Sequence, residues 1–167
     1  MIYYLIGMPG AGKSQTGKEL SELTGYPFFD LDKEIEKHAG KSVSDIFTEY
    51  GEDYFRDLEF ITLQKITEDL PKGIIACGGG TPCFNNTLEW LNNTGETWYL
   101  QISVSELTRR LSGENLPERP LFKGARPEDL RNVLTDLLIT REKHYLKAWK
   151  VISEENATAR YLQKYID

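Results

Sequence analysis

Short apolar runs alternate along the chain with longer stretches patterned like helices. The runs are IYYLI (Ile2 to Ile6), YPFFD (Tyr26 to Asp30), GIIAC (Gly73 to Cys77), TWYLQI (Thr97 to Ile102) and WKVIS (Trp149 to Ser153). Their length and their β-branched and aromatic content predict strands. Between them the pattern predicts helices over Lys13 to Leu23, Lys33 to Ala39, Val43 to Leu70, Thr87 to Leu91, Ser105 to Leu111 and Pro127 to Tyr145, and a last one over Thr158 to Ile166. Five strands alternating with helices imply an α/β fold: a five-stranded parallel sheet covered on both faces, a three-layer α/β/α sandwich. At 167 residues the chain reads as a single domain, 1–167, with no internal repeat, low-complexity tract or linker.

Two stretches break the alternation. A long helical insertion without a strand separates the second and third strands. SGENLPERPLFKGARP (Ser112 to Pro127), rich in Gly, Pro and charge, separates the fourth and fifth. A loop of that kind in a compact domain is usually functional or poorly ordered. Ligands of parallel α/β sheets bind beyond the carboxyl ends of the strands, where both stretches are expected to lie.

GMPGAGKS (Gly7 to Ser14) follows the first run and precedes a helix, matching G-x-x-x-x-G-K-[ST] in the context that gives this motif its meaning. Glycines let successive N–H groups turn toward phosphate oxygens, and the helix beginning near Lys13 aims its positive end at the same place. Lys13 is expected to reach the β- and γ-phosphates and Ser14 to ligate Mg²⁺. The guanine-reading [NT]-K-x-D motif does not occur, and neither the third nor the fourth strand runs into a carboxylate. The acids at a strand end are Asp30 and Asp32, in FFDLD. Read as an extended segment, they point the same way, with Leu31 opposite. One can hold Mg²⁺ through water while the other takes a proton from an attacking hydroxyl. The plainer alternative is that one of them caps the helix beginning at Lys33.

Further along, Arg56 and Glu59 in EDYFRDLE share a helix face at i, i+3, a spacing equally compatible with a surface ion pair. GGG (Gly78 to Gly80) after a buried strand suggests close approach of a ligand to the backbone. ERPLF carries Arg119 in the long loop, and TREKHY carries Arg141 near a helix end. Together these describe a cleft with a nucleotide on one wall and a carboxylate base beside it.

Charge and cysteine content narrow the classes. The net charge of −6 argues against a nucleic-acid partner, though a local arginine cluster suffices for small anions. Cys77 and Cys83 have no metal-ligand spacing; Cys77 reads as a small buried hydrophobe, and a reducing compartment fits. Met1 leads into the first strand, leaving no room for a signal peptide, and no apolar run approaches membrane-spanning length. The sequons at Asn85, Asn92 and Asn156 are read as chance, and His38 and His144 as solvated helix residues.

The order of these motifs resembles the shikimate kinase family nearly end to end, through GMPGAGKS, FFDLDKEIE, DIFTEYGEDYFRDLE, GGGT, ERPLF and TREKHY. The resemblance implies a P-loop fold of the nucleoside-monophosphate-kinase type, with a shikimate-binding insertion (about 32–59) and a lid (about 112–124). It implies transfer of the ATP γ-phosphate to the 3-hydroxyl of shikimate by a cytoplasmic monomer with Mg²⁺ as cofactor, and neither nucleic acid nor membrane as partner. It assigns ATP to Gly10, Ala11, Gly12, Lys13, Ser14, Gln15 and Arg119, and the metal to Ser14 and, through water, Asp30. Asp32 binds the acceptor hydroxyls and serves as base, with Lys13 and Arg119 completing the catalytic set. Arg56 and Arg141 clamp the shikimate carboxylate, Glu59 orients Arg56, Phe47 and Phe55 form apolar walls, and the turn at Gly78, Gly79 and Gly80 closes on the ring. One departure is visible. Where the family often places an arginine against adenine after the last strand, this chain has SEENATAR, with Asn156 near that place, and Arg160 is not assigned the role. A gluconate-kinase-like enzyme of the same fold and a non-catalytic nucleotide-binding regulator are the rival readings. The GGG stretch and the Arg56–Glu59 spacing favour shikimate over gluconate. The joint presence of Lys13, Asp32 and Arg119 argues against the regulator.

Overall fold

The five apolar runs form one parallel sheet in a computed structural model that describes residues 1–68, 70–112, 122 and 126–166. Its strands are β1 (Ile2–Ile6), β2 (Phe28–Asp30), β3 (Gly73–Ala76), β4 (Glu96–Gln101) and β5 (Lys150–Ser153), in the order β2-β3-β1-β4-β5. The central strand β1 is buried throughout, with Tyr4 opposite Ile75 on one side and Thr97 on the other. The connection from β1 runs to β2 on one side and that from β3 runs to β4 on the other, so a crevice opens beyond the carboxyl ends of β1 and β3.

Helices cover both sides of the sheet. They are α1 (Lys13–Thr24), α2 (Leu31–Ala39), α3 (Val43–Glu68), α4 (Thr87–Thr94), α5 (Val104–Leu111), α6 (Leu130–Tyr145) and α7 (Ala159–Leu162). α1 packs on α7, α5 on α6 and α2 on α3. The core is aromatic-rich, with Tyr4, Trp98, Tyr99 and Tyr145 fully buried. The Tyr4 hydroxyl is satisfied at 2.8 Å by Thr94 Oγ1, as a buried phenol requires.

Several boundaries differ from the sequence pattern for local reasons. β2 begins at Phe28 because Pro27 has no N–H for the ladder; its carbonyl still accepts from Ile74 N at 2.9 Å. The predicted helix over Val43 to Leu70 ends at Glu68 and is broken at Gly51, whose φ of 82° and ψ of 177° suit glycine alone. That break redirects the chain and brings Phe47 and Phe55 to 4.4 Å between ring centroids. α6 is preceded by a 3₁₀ turn at Pro127–Asp129, and the tail divides into α7 and a 3₁₀ turn at Gln163–Tyr165. Cys77 is buried, and both cysteines are free thiols. His38 is exposed, but His144 is half-buried, and partial burial beside Lys143 and Lys147 lowers its pKa.

Candidate active site

The loop from Gly7 to Ser14 leaves the end of β1 and enters α1 directly. Gly10 and Gly12 have φ of 81° and 88°, values that let the backbone curl with its amides inward. Lys13 is nearly buried and folds back across the loop, donating to the carbonyls of Gly7 at 2.9 Å and Met8 at 2.8 Å. Its charge is therefore held within the cradle. Gln15 is exposed one residue past Ser14 and donates to Glu19 Oε1 at 3.0 Å.

Asp30 and Asp32 do not lie on one extended segment. α2 begins at Leu31, so Asp30 is its N-cap, accepting from Lys33 N at 3.4 Å, and Asp32 sits in its first turn. Capping and metal-side geometry coincide in Asp30: its other oxygen accepts the Ser14 hydroxyl at 2.5 Å. A hydroxyl and a carboxylate oxygen beside a phosphate loop suit Mg²⁺, which takes few protein ligands and keeps its waters and substrate phosphates. Asp32 faces the glycine turn, with Oδ1 3.2 Å from where a Cβ on Gly78 would stand. Burial, reinforced by the carboxylates of Glu59 and Asp30, raises its pKa to about 6, while Lys13 pulls the other way.

The opposite wall is made of buried charge. Arg56 (7% exposed) donates from Nη1 to Glu59 Oε2 at 2.9 Å and from Nη2 to Glu52 Oε1 at 3.2 Å. Glu59 (3% exposed) also accepts from Thr81 Oγ1 at 2.6 Å; burial raises its pKa against the pull of Arg56. The Arg56 guanidinium lies 5.1 Å from the Phe55 ring centroid, 5.9 Å from that of Phe47 and 4.4 Å from that of Phe84. Gly80 lets the backbone press against it, since a Cβ there would fall 2.4 Å from Nη2. Arg141 enters from α6 and is equally buried (7% exposed), yet among the described residues its Nη1 has no hydrogen-bond partner. A buried guanidinium nitrogen without an acceptor is costly, so this position suits an anionic group.

A cleft of about 1400 Å³ joins these walls, running from Gly10 to Gln15 past Asp30 and Asp32 to Phe47, Phe55, Arg56, Glu59 and Gly78 to Gly80. Arg119 and most of the expected lid lie outside the described residues; of that stretch Ser112 is exposed and Phe122 is buried.

The structure adds residues that the sequence pattern did not single out. At the far end of the cleft lie Arg109, Arg110, Ala157 and Thr158. Arg110 donates to Glu106 Oε1 at 2.7 Å and to the Gly10 carbonyl at 3.3 Å, so it leans on the phosphate loop. The place expected of an arginine after β5 is thus approached by one from α5, while Asn156 turns back to Ser153 Oγ at 3.1 Å and Arg160 is exposed. Glu106 at i−4 was the available signal, since it fixes the direction of the arginine.

Comparison with known proteins gives a consistent set of likenesses. A family profile described as shikimate kinase matches residues 9–167. A shikimate kinase of Parabacteroides distasonis is 43% identical over 145 residues, spanning 87% of this chain and 83% of that one. A crystal structure of shikimate kinase from Bacteroides thetaiotaomicron superposes with a TM-score of 0.91 at 32% identity, covering 99% of this chain and 98% of that one. The Acinetobacter baumannii enzyme in complex with shikimate gives 0.86 at 33% identity, covering 99% and 89%.

Proposed function

The chain belongs to the shikimate kinase family, and from that premise we propose how it works as an ATP-dependent kinase: ATP lies along the phosphate loop, shikimate lies against α3, the glycine turn and α6, and the γ-phosphoryl crosses to the shikimate 3-hydroxyl. The observation that carries this reading is a cleft with a phosphate cradle on one side and buried Arg56 on the other, Asp32 between them and buried Arg141 beside Gly79 of the glycine turn.

Arg56 and Arg141 bind the acceptor carboxylate, for which a planar guanidinium offers paired donors. Glu59 and Thr81 hold Arg56 in place from behind. Phe47 and Phe55 wall the ring, and Gly78, Gly79 and Gly80 bring backbone close to it. Asp32 orients the attacking hydroxyl and accepts its proton as the new P–O bond forms and the bond to the β-phosphate oxygen breaks, releasing ADP. Lys13 and Arg119 offset charge on the transferring group. Ser14, and Asp30 through water, would hold Mg²⁺, which would add charge neutralisation on the phosphates. Adenine lies toward Arg110 and the Ala157–Thr158 turn. All these groups come from one chain, so a monomer suffices. Among the described residues no helix is long and apolar enough to cross a membrane, and free thiols together with an ATP requirement support a cytoplasmic location.

The test is ADP release from Mg²⁺-ATP with shikimate, with gluconate or with neither. Release that requires shikimate is expected. Release driven by gluconate would overturn the acceptor assignment, and ATP binding without stimulated release would favour a regulator.

A further inference from the structure

Tyr145, the last residue of α6, is wholly buried although it carries a hydroxyl. That hydroxyl donates to the Gly79 carbonyl at 2.5 Å and lies 3.9 Å from Met8 Sδ at the start of the phosphate loop. Its ring packs on Tyr99 of β4, with centroids 4.9 Å apart. One residue therefore ties α6, the glycine turn and the phosphate loop together from the core side.

Two consequences follow for the acceptor wall. In a trans peptide the C=O and N–H point in opposite directions. With the Gly79 carbonyl drawn toward Tyr145, the Gly80 N–H is turned away from it, and Gly80 lines the cleft. Among the described residues neither Gly79 nor Gly80 gives its amide to another protein group. The second consequence concerns Arg141, one helical turn back from Tyr145 on the same face. Its guanidinium bears electrostatically on the Tyr145 hydroxyl. Its Nη1, without a hydrogen-bond partner among the described residues, lies beside Gly79, 3.1 Å from where a Cβ there would stand. The hydroxyl thus sits behind both unsatisfied donor groups.

We propose that Tyr145 is a positioning residue for the acceptor: its hydroxyl sets the Gly79–Gly80 peptide and holds it against Arg141, so that Gly80 N–H and Arg141 Nη1 converge on an anionic, polyhydroxylated substrate. The proposal rests on the assignment of Arg141 to the shikimate carboxylate. Tyr145 does not touch substrate, so its effect belongs in acceptor binding rather than in the nucleotide step.

Tyr145→Phe keeps the ring and deletes the hydrogen bond. The KM and Kd for shikimate are expected to rise roughly 5- to 50-fold, the range for losing a buried, geometry-setting hydrogen bond. The KM for ATP stays unchanged, and kcat changes far less than the shikimate KM. The preference of the enzyme for binding shikimate over its methyl ester, which lacks the anionic carboxylate, shrinks in parallel. A lowered melting temperature with an unchanged shikimate KM and an unchanged acid-to-ester preference would overturn the proposal and leave Tyr145 a packing residue. Should the variant not fold, the wild-type enzyme decides by NMR titration: the Gly80 amide must shift on adding shikimate, and an unmoved Gly80 signal overturns the proposal. Arg141→Ala separates the two levels. Normal shikimate affinity in Arg141→Ala overturns the carboxylate assignment itself. Weakened affinity there with normal affinity in Tyr145→Phe overturns only the role of Tyr145.

Discussion

The two walls of the cleft are built on different principles. The nucleotide wall is consecutive backbone: eight residues from Gly7 to Ser14, a helix start, and one lysine folded onto its own loop. The acceptor wall is side chains brought from afar: Asp32 from α2, Arg56 and Glu59 from α3, Thr81 after the glycine turn and Arg141 from α6. The first offers amide dipoles and keeps its nearly buried charge, Lys13, against the carbonyls of its own loop. The second keeps three charged groups out of water, two of them paired with each other and one, Arg141, with an orphaned nitrogen. A backbone cradle tolerates most side-chain changes, whereas a buried charge network transmits them. Substitutions on the acceptor wall are therefore expected to cost more, and to affect stability as well as turnover.

Asp32→Asn gives the largest expected effect because Asp32 stands where the walls meet. Loss of the base lowers kcat by about 10²- to 10⁴-fold, with ATP affinity retained. Stability moves the other way. With a folded pKa of about 6 against the ordinary aspartate value of 3.8, the folded state binds more protons than the unfolded chain between those values. Stability contributed by this group therefore falls as pH rises from about 4 through 6 and is level above. Asparagine removes the penalty, so the free variant is expected to be about 1–3 kcal/mol more stable than wild type at pH 7.5 and equal to it below pH 4. Thermal melts across that range check the sign, and the acid limb of kcat/KM for shikimate should fall near pH 6. A variant less stable than wild type at pH 7.5 would show that Asp32 is an integral part of the scaffold.

Arg56→Ala comes next. It removes one partner of a desolvated pair, so shikimate binding weakens by about 2–5 kcal/mol, read by calorimetric titration. Glu59 is left buried with Thr81 as its remaining donor among the described residues, and the melting temperature falls at neutral pH. Arg56→Ala with Glu59→Gln should recover stability without recovering shikimate affinity. Recovery of both would mean that Arg56 serves the fold alone.

This contrast also explains what was legible in the residues. The sheet was, because buried parallel strands read as continuous apolar runs and β1 matched its predicted span. The nucleotide wall was, because its parts are adjacent in the chain. Arg56–Glu59 was legible as a spacing, but the same spacing describes a surface pair; only burial and Thr81, remote in sequence, separate the two. The FFDLD alternation misled because the Asp30 cap starts α2 at Leu31, two residues before the expected start at Lys33. Tyr145 stood in the sequence simply as the end of the predicted Pro127 to Tyr145 helix, since nothing local reveals that its hydroxyl meets a carbonyl in a distant turn.

The smallest effect is expected at the far end of the nucleotide wall. Arg110 is partly exposed, is held by Glu106 and touches the loop through a single 3.3 Å contact to Gly10 O. If its guanidinium covers the adenine face, the gain is that of a partly solvated stacking contact, about 0.5–1 kcal/mol. Arg110→Ala is then expected to raise the KM for ATP about two- to fivefold, with the shikimate KM and kcat unchanged. The same change measured with inorganic tripolyphosphate in competition should have no effect, because that ligand fills the cradle without a base. Equal weakening of ATP and tripolyphosphate would move Arg110 from the adenine to the phosphates. The backbone wall would then depend on a buttressing side chain, as the acceptor wall does on Glu59.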